Sequence, residues 1–88
     1  MENIRERIIK TLITASEGQL NEEKIAEVDD NVEGLLLDSL TIIKWIVLLE
    51  EEFEIEIELE KVVIESPVLW SFDLLTNFLR TEIQAVHG

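Results

Sequence analysis

Between residues 39 and 53, apolar side chains recur at the spacing of an α-helix, which limits the fold more than any other feature of the chain. Apolar residues at positions i, i+3, i+4, i+7 and i+11 share one helix face and need a core to cover them. A second apolar strip lies about a quarter-turn away, because each residue advances about 100°. The pattern predicts a helix whose first strip is buried and whose second strip is either buried or reserved for a partner. The first strip is Ile42, Trp45, Ile46, Leu49 and Phe53, and the second is Leu40, Ile43 and Val47.

Two further segments have helical periodicity. Residues 3–16 begin with Asn3, and Glu6 follows at the spacing of an N-terminal capping pair, while Gly18 provides an end signal. Residues 71–85 begin with Ser71 as a candidate N-cap. The predicted inner faces are Ile4, Ile8, Ile9, Leu12 and Ile13 in the first helix and Phe72, Leu75, Phe78, Leu79 and Ile83 in the last.

The segments between these helices have weaker patterns. Residues 17–37 show no sustained period and predict a long loop with a helical turn near residues 22–27. Residues 53–60 alternate apolar and acidic side chains, which by itself is typical of a strand. No second alternating segment could pair with it, so we expect an extended connection with Ile55 and Ile57 turned inward. A short helix at residues 59–64, closed by Pro67, is expected to follow.

Together these elements predict an all-α fold. We expect a small four-helix bundle with three principal helices, one short helix and a long first loop. The 88 residues are enough for one small domain and too few for two. Residues 1–88 are therefore expected to form a single domain.

Acidic residues dominate the charge of the chain. Twenty Asp and Glu against seven Lys and Arg give a net charge of −13, which repels nucleic-acid phosphates and anionic lipids and favours basic patches on proteins. No apolar run approaches the length of a membrane span. The absence of cysteine removes disulfides and thiolate metal sites and fits a reducing cytoplasm. We expect a monomeric cytoplasmic protein that binds proteins, with no nucleic acid, no stable membrane insertion and no metal.

Asp38, Ser39 and Leu40 stand where the long loop meets the central helix. At that position the Ser39 hydroxyl should be exposed beside unpaired backbone N–H groups, and the helix macrodipole favours a negatively charged group there. A phosphodiester on Ser39 would be stabilised by this field. The residues alone leave a simpler interpretation open, in which Asp38 or Ser39 only caps the helix.

The surrounding sequence resembles the acyl carrier protein family. The resemblance rests on Gly34–Leu40, which reads GLLLDSL, and on Leu48–Ile57, which reads LLEEEFEIEI. The family has a Gly/Leu-rich approach to Asp-Ser-Leu, an acidic helix end of the form Leu-Glu-x-x-Phe, and then Ile-x-Ile. Departures from the housekeeping fatty-acid carriers are Lys44 in a region that is often acidic, Glu58 in place of a proline, a longer stretch between Ile57 and Ser71, and two tryptophans, Trp45 and Trp70. They favour a specialised acyl or peptidyl carrier, and the tryptophan in the longer connection resembles D-alanyl carriers.

The resemblance implies that Ser39 carries 4′-phosphopantetheine, with Asp38 and Leu40 flanking the attachment site. A phosphopantetheinyl transferase would supply the arm from coenzyme A. The thiol of the arm would hold an acyl or aminoacyl group as a thioester, loaded by a ligase and passed to synthase or transferase enzymes. The chain itself would catalyse nothing. We expect partners to dock on a face formed by Leu40, Ile43, Lys44, Val47, Glu50 and Glu51.

Two other functions fit parts of the pattern. One is an unmodified helical interaction module that docks a partner helix on Leu40, Ile43 and Val47. Attachment of phosphopantetheine to Ser39 is expected in a carrier and not in this module, so it distinguishes the two functions. The other is a hydrolase with Ser39 as nucleophile, which lacks a well-placed base because the single histidine is His87.

The acidic stretch at residues 50–60 lacks the spacing and central glycine of an EF-hand, so we expect a solvated acidic face.

Overall fold

Three long helices and one short α-helix make up most of the protein. The computed structural model describes residues 3–65 and 67–87, without the side chain of His87. The helices are α1 (Ile4–Ala15), α2 (Glu22–Glu27), α3 (Ser39–Phe53) and α4 (Phe72–His87). Within the described ranges there is no strand, and the one isolated bridge joins Asn31 to Ser71. The prediction of a small all-α bundle with three principal helices is therefore confirmed.

The connecting segments contain short helical turns. A 3₁₀ turn at Val32–Leu35 follows α2 in the long loop, and another at Val68–Trp70 precedes α4. The helical turn predicted at residues 22–27 is α2 itself. The short helix predicted at residues 59–64 starts at Leu59 but continues as a π-helical turn, Lys61–Glu65, in which Val62 is the buried residue.

Polar side chains fix where the helices begin. Asn3 Oδ1 accepts from Glu6 N at 2.8 Å, and Asp38 Oδ1 accepts from Thr41 N at 2.7 Å. Ser71 Oγ accepts from Leu74 N at 3.2 Å at the start of α4. Each of these bonds satisfies an N–H that the first helical turn leaves unpaired. The predicted N-caps Asn3 and Ser71 are thus confirmed, and of the two candidates at the start of α3 the cap is Asp38. After α1 the chain turns at Glu17 and Gly18, which have positive φ.

The core lies between α1, α3 and α4, with Trp45 fully buried in it. The Trp45 ring meets Phe72 edge to face, with 6.4 Å between centroids, and its Nε1–H donates to Thr11 Oγ1 at 3.2 Å. Ile42 is only half-buried, as are Phe78 and Ile83 on the predicted inner face of α4. The residues with no exposed surface are Ile8, Leu12, Val32, Trp45, Leu49, Val62, Leu69, Phe72, Leu75 and Leu79.

The alternating stretch after α3 is an extended connection, as predicted. Glu54 ends α3 in the left-handed conformation, with φ of 54°. Ile55 and Ile57 then point inward and are buried. Glu50 fixes this path because its Oε2 accepts from Ile57 N at 2.9 Å. The side-chain pattern of a strand therefore serves here to bury two isoleucines without any pairing strand.

Asp30 ties the long loop to the start of α4. Its carboxylate accepts from the Ser71 hydroxyl and, at 2.8 Å, from Asp73 N. Arg5 of α1 joins them, with NH1 2.6 Å from Asp73 Oδ1 and 3.5 Å from Asp30 Oδ1. Partial burial acts to raise the pKa of Asp30, but the hydrogen bonds from Ser71 and Asp73 and the charge of Arg5 together lower it. The loop that leads to α3 is thus anchored at its middle.

Candidate functional site

Ser39 is the first residue of α3 and is exposed. The residue before it, Asp38, is extended and supplies the cap through its bond with Thr41 N, while Asp38 O accepts the first helical bond from Ile42 N at 3.0 Å. Because Asp38 does the capping, the Ser39 hydroxyl makes no hydrogen bond within the part of the chain that the structure describes. The sequence left open which of Asp38 and Ser39 caps the helix; the cap is Asp38, and the Ser39 hydroxyl is exposed.

The charge around Ser39 is set by the helix terminus and by Asp38. Hydrogen bonds from the backbone N–H and hydroxyl of Thr41, with a smaller contribution from Lys44, hold the pKa of Asp38 below its usual 3.8. The N–H groups of Ser39 and Leu40 precede the first helical bond and remain available to an anion. A phosphate ester on Ser39 Oγ therefore fits the residues present, since the hydroxyl is open to solvent and lies beside these donors.

The Gly/Leu-rich approach to Ser39 has a structural basis in the 3₁₀ turn. A Cβ on Gly34 would lie 2.9 Å from Val28 Cγ1, so the close approach of the turn to Val28 favours glycine. Leu35 and Leu37 pack partly against the core. Leu36, between them, adopts a left-handed conformation with φ of 52° and is 88% exposed.

Leu36 is an exposed apolar residue that the predicted docking face did not include. It lies three residues before Ser39, at the approach to α3. Helical periodicity could not identify it, because it precedes the helix. Its left-handed backbone, which is rare for leucine, turns its side chain to solvent while the leucines on either side face the core.

The second apolar strip of α3 is on the surface. Leu40 is 60% exposed, Ile43 50% and Val47 45%, whereas Ile46 of the inner strip is buried. A shallow groove of about 300 Å³ borders the strip, and Thr14 and Ala15 at the end of α1 contribute to its wall. The sequence left open whether this strip contacts the core or a partner, and the structure leaves it uncovered within the described residues.

The three predicted charged residues of the face differ in their surroundings. Lys44 Nζ lies 2.8 Å from Glu17 Oε1, so its charge is partly compensated by the turn after α1. Glu51 is exposed beside the groove. Glu50 is half-buried and bonded to Ile57 N, which gives it a structural task that the sequence did not reveal.

The sequence profile of the phosphopantetheine attachment site family matches residues 7–69. The match includes Ser39 and covers more than half of the chain. The protein belongs to this family. It is thus a carrier of the acyl carrier protein type, and its cofactor is covalently attached 4′-phosphopantetheine. No curated protein and no solved structure matches the chain significantly.

Two other kinds of feature are absent from the described residues. In the ranges 3–65 and 67–87, no group of three or more His, Cys, Asp or Glu side chains could hold a metal ion. No helix in that part of the chain is long and apolar enough to cross a membrane. The side chain of His87, the one candidate base for a Ser39 nucleophile, lies outside what the structure describes.

Proposed function

We propose that the protein carries an acyl or aminoacyl group as a thioester on a phosphopantetheine arm attached to Ser39, and delivers it to partner enzymes. The observation that carries the proposal is the exposed Ser39 hydroxyl, unbonded at the N-terminus of α3 and inside the range that the family matches. A phosphopantetheinyl transferase would use coenzyme A as donor. The Ser39 oxygen bonds to the phosphorus of the pantetheine phosphate, the bond from that phosphorus to the nucleotide half breaks, and the hydroxyl proton is released.

The carrier itself takes no part in the chemistry of its cargo. A ligase loads the thiol of the arm, and synthase or transferase enzymes act on the thioester. Tethering raises the effective concentration of the intermediate at each partner. The net charge of −13 supports a monomer, because copies of the chain repel each other. The absence of cysteine supports a location in the reducing cytoplasm.

Partner enzymes would dock on the exposed strip Leu40, Ile43 and Val47, next to the attachment site. Apolar side chains on an exposed helix face are suited to a partner surface. Glu51 and Glu50 would steer a basic partner, so association should weaken as salt is added. Lys44 reduces the negative potential near Ser39. We therefore expect a dedicated partner to bind this face better than partners that require an uninterrupted acidic helix surface. We add Leu36 to this face because of its exposure.

The attachment site is tested by enzymatic modification. Incubation with coenzyme A, Mg²⁺ and a broad-specificity phosphopantetheinyl transferase should add one phosphopantetheine, detected by mass spectrometry. Ser39→Ala should stay unmodified and keep its helical circular dichroism, because Asp38 retains the cap. Thr81→Ala, which removes an exposed hydroxyl from α4 and leaves Ser39 intact, serves as the control and should be modified normally.

Modification that persists in Ser39→Ala would overturn the assignment. If neither the unchanged protein nor any variant is modified, the alternative gains support: an unmodified interaction module that uses the same exposed strip of α3.

A further inference from the structure

A second groove lies at the opposite end of α3 from Ser39. Its volume is about 670 Å³, and it is bounded by the end of α3, the extended connection after it and the C-terminal half of α4. Glu54, at its edge, follows Ser39 by fifteen residues, which corresponds to about 22 Å along the helix. The groove is therefore separate from the attachment site and from the strip Leu40, Ile43 and Val47.

The floor of this groove is apolar. Phe78 and Val86 form the floor on one face of α4, and Glu82 of the rim lies between them at four-residue spacing from each. Phe78 is half-buried and Val86 is 57% exposed, while Ile55 closes the base of the groove from the connection after α3. No described element covers Val86, so an apolar surface stays open to solvent at this end of the bundle.

The rim of the groove is acidic. Glu54, Glu56 and Glu82 make no ion pair within the described residues, so their charges are uncompensated. The single cation of the rim, Lys61, lies 3.9 Å from Glu58 and is thus partly neutralised. An apolar floor with a negative rim is complementary to a segment that combines apolar side chains with lysine or arginine.

We propose that this groove binds a basic amphipathic helix of a protein partner, independently of cargo transfer at Ser39. Such a helix places apolar side chains at i, i+3 or i+4, and i+7 on the floor, and its basic residues beside the free carboxylates. An anionic membrane and a second copy of this acidic chain are both repelled by the same rim. Three residues of the floor and rim, Phe78, Glu82 and Val86, lie outside the range that the family matches.

The test uses the full chain with Ser39→Ala, so that the result does not depend on phosphopantetheine attachment. The probe is a synthetic helical peptide of about 14 residues, or about four turns, with leucine on one face and lysine on the other. Titration followed by NMR should shift the amide signals of Ile55, Phe78, Glu82 and Val86. Binding should weaken as salt is added, and a peptide with glutamate in place of lysine should not bind.

Matched variants locate the binding surface. Val86→Asn should raise the dissociation constant about tenfold, because the peptide loses an apolar contact. Leu74→Asn is the control, since Leu74 is 52% exposed on the same helix and does not line the groove. It should change the constant by less than about twofold. The double variant Glu56→Gln, Glu82→Gln removes two charges from the rim of the groove. It should weaken peptide binding more than the control double variant Glu22→Gln, Glu27→Gln, which removes two charges from α2.

Three results would overturn the proposal: equal effects in the groove variants and their controls, signal shifts confined to residues 40–47, or self-association of the free chain that Val86→Asn abolishes. The first would mean non-specific attraction to an acidic protein. The second would place the peptide on the strip beside Ser39, and the third would make a second copy the occupant. Failure of Ser39 modification leaves this test unaffected, because the attachment serine is already replaced.

Discussion

At the proposed attachment site, two neighbouring residues have different tasks. Asp38 closes the first turn of α3 with its side chain, and its lowered pKa keeps the carboxylate ionised. Ser39 is thereby left with a free hydroxyl at a position where a serine could otherwise serve as the cap. With this division one short motif would both start a helix and offer a nucleophilic oxygen to the modifying enzyme that we propose.

The two faces of α3 can be distinguished by placing the same charge on adjacent residues. Ile46→Asp puts a carboxylate where the side chain is 5% exposed. It should lower the free energy of unfolding by about 3–5 kcal/mol, which is comparable with the whole stability of a small domain. Val47→Asp, at a position 45% exposed, should change stability by less than about 1 kcal/mol. It should nevertheless impair thioester transfer with a dedicated partner. Chemical denaturation followed by circular dichroism, together with a transfer assay, measures both effects.

The comparison decides the assignment of the faces. If Val47→Asp unfolds the protein and Ile46→Asp does not, the proposed docking strip is a core surface. If both variants fold and Val47→Asp transfers cargo normally, the strip has no part in docking.

At the level of the elements, the long loop is held to the helices by polar contacts as well as by apolar ones. Ile25 of α2 and Val32 of the 3₁₀ turn are buried, and these two side chains anchor the loop in the core. Asp30 lies between them and bonds across to Ser71 and Asp73 at the start of α4. The loop is therefore part of the packed structure, and the position of Ser39 depends on it.

Replacement of Asp30 tests this anchor. Asp30→Asn removes the charge facing Arg5 and one oxygen that accepts from Ser71, so it should lower the free energy of unfolding by about 1 kcal/mol at neutral pH. Asp29→Asn makes the same chemical change one residue earlier, at an exposed position where asparagine also tolerates the positive φ, and should have little effect. Urea denaturation of the three proteins measures the difference.

The pH dependence of this difference follows from the lowered pKa of Asp30. A carboxyl whose pKa is lower in the folded state stabilises the fold above its usual pKa, 3.8, and loses that effect as pH falls through the folded value. The unchanged protein and Asp30→Asn should therefore converge in stability below pH 3.8. A difference that stays constant down to pH 2 would mean that the ionised carboxylate does not stabilise the loop.

For the whole molecule, the dominant feature is an excess of acidic residues over a thin core. The net charge of −13 is spread over 88 residues, and few of the carboxylates have a basic partner in the described ranges. Repulsion between like charges at this density destabilises a folded chain. Salt screens this repulsion, with a screening length of about 10 Å at 0.1 M ionic strength. The acidity that suits basic partners therefore acts against the stability of the free carrier.

Added salt should raise the melting temperature, and divalent cations should do so at lower concentration. The triple variant Glu51→Gln, Glu54→Gln, Glu56→Gln removes three exposed charges from the end of α3 and the connection after it. It should melt higher in low salt and respond less to added salt. Differential scanning calorimetry of both proteins measures this. A melting temperature that responds to neither salt nor the substitutions would refute the importance of self-repulsion.

The sequence by itself determined the elements that depend on local chemistry. Helix starts at Asn3, Asp38 and Ser71 were predictable because a capping side chain bonds to an N–H only two or three residues away. The inner strip of α3 was predictable because helical period alone decides which residues share a face. Ser39 was identified through a short motif and its spacing from the acidic helix end, both of which are local in the chain.

Only the tertiary structure decided the features that join distant segments. It placed Asp30 against Ser71, Lys44 against Glu17, and Glu50 against the connection after α3. It also decided that Leu36 faces solvent and that Phe78 and Val86 line an uncovered groove. Periodicity reports which residues share a face of one element, whereas burial and ion pairing depend on which other element comes to lie against that face. That choice is made by the packing of the whole chain.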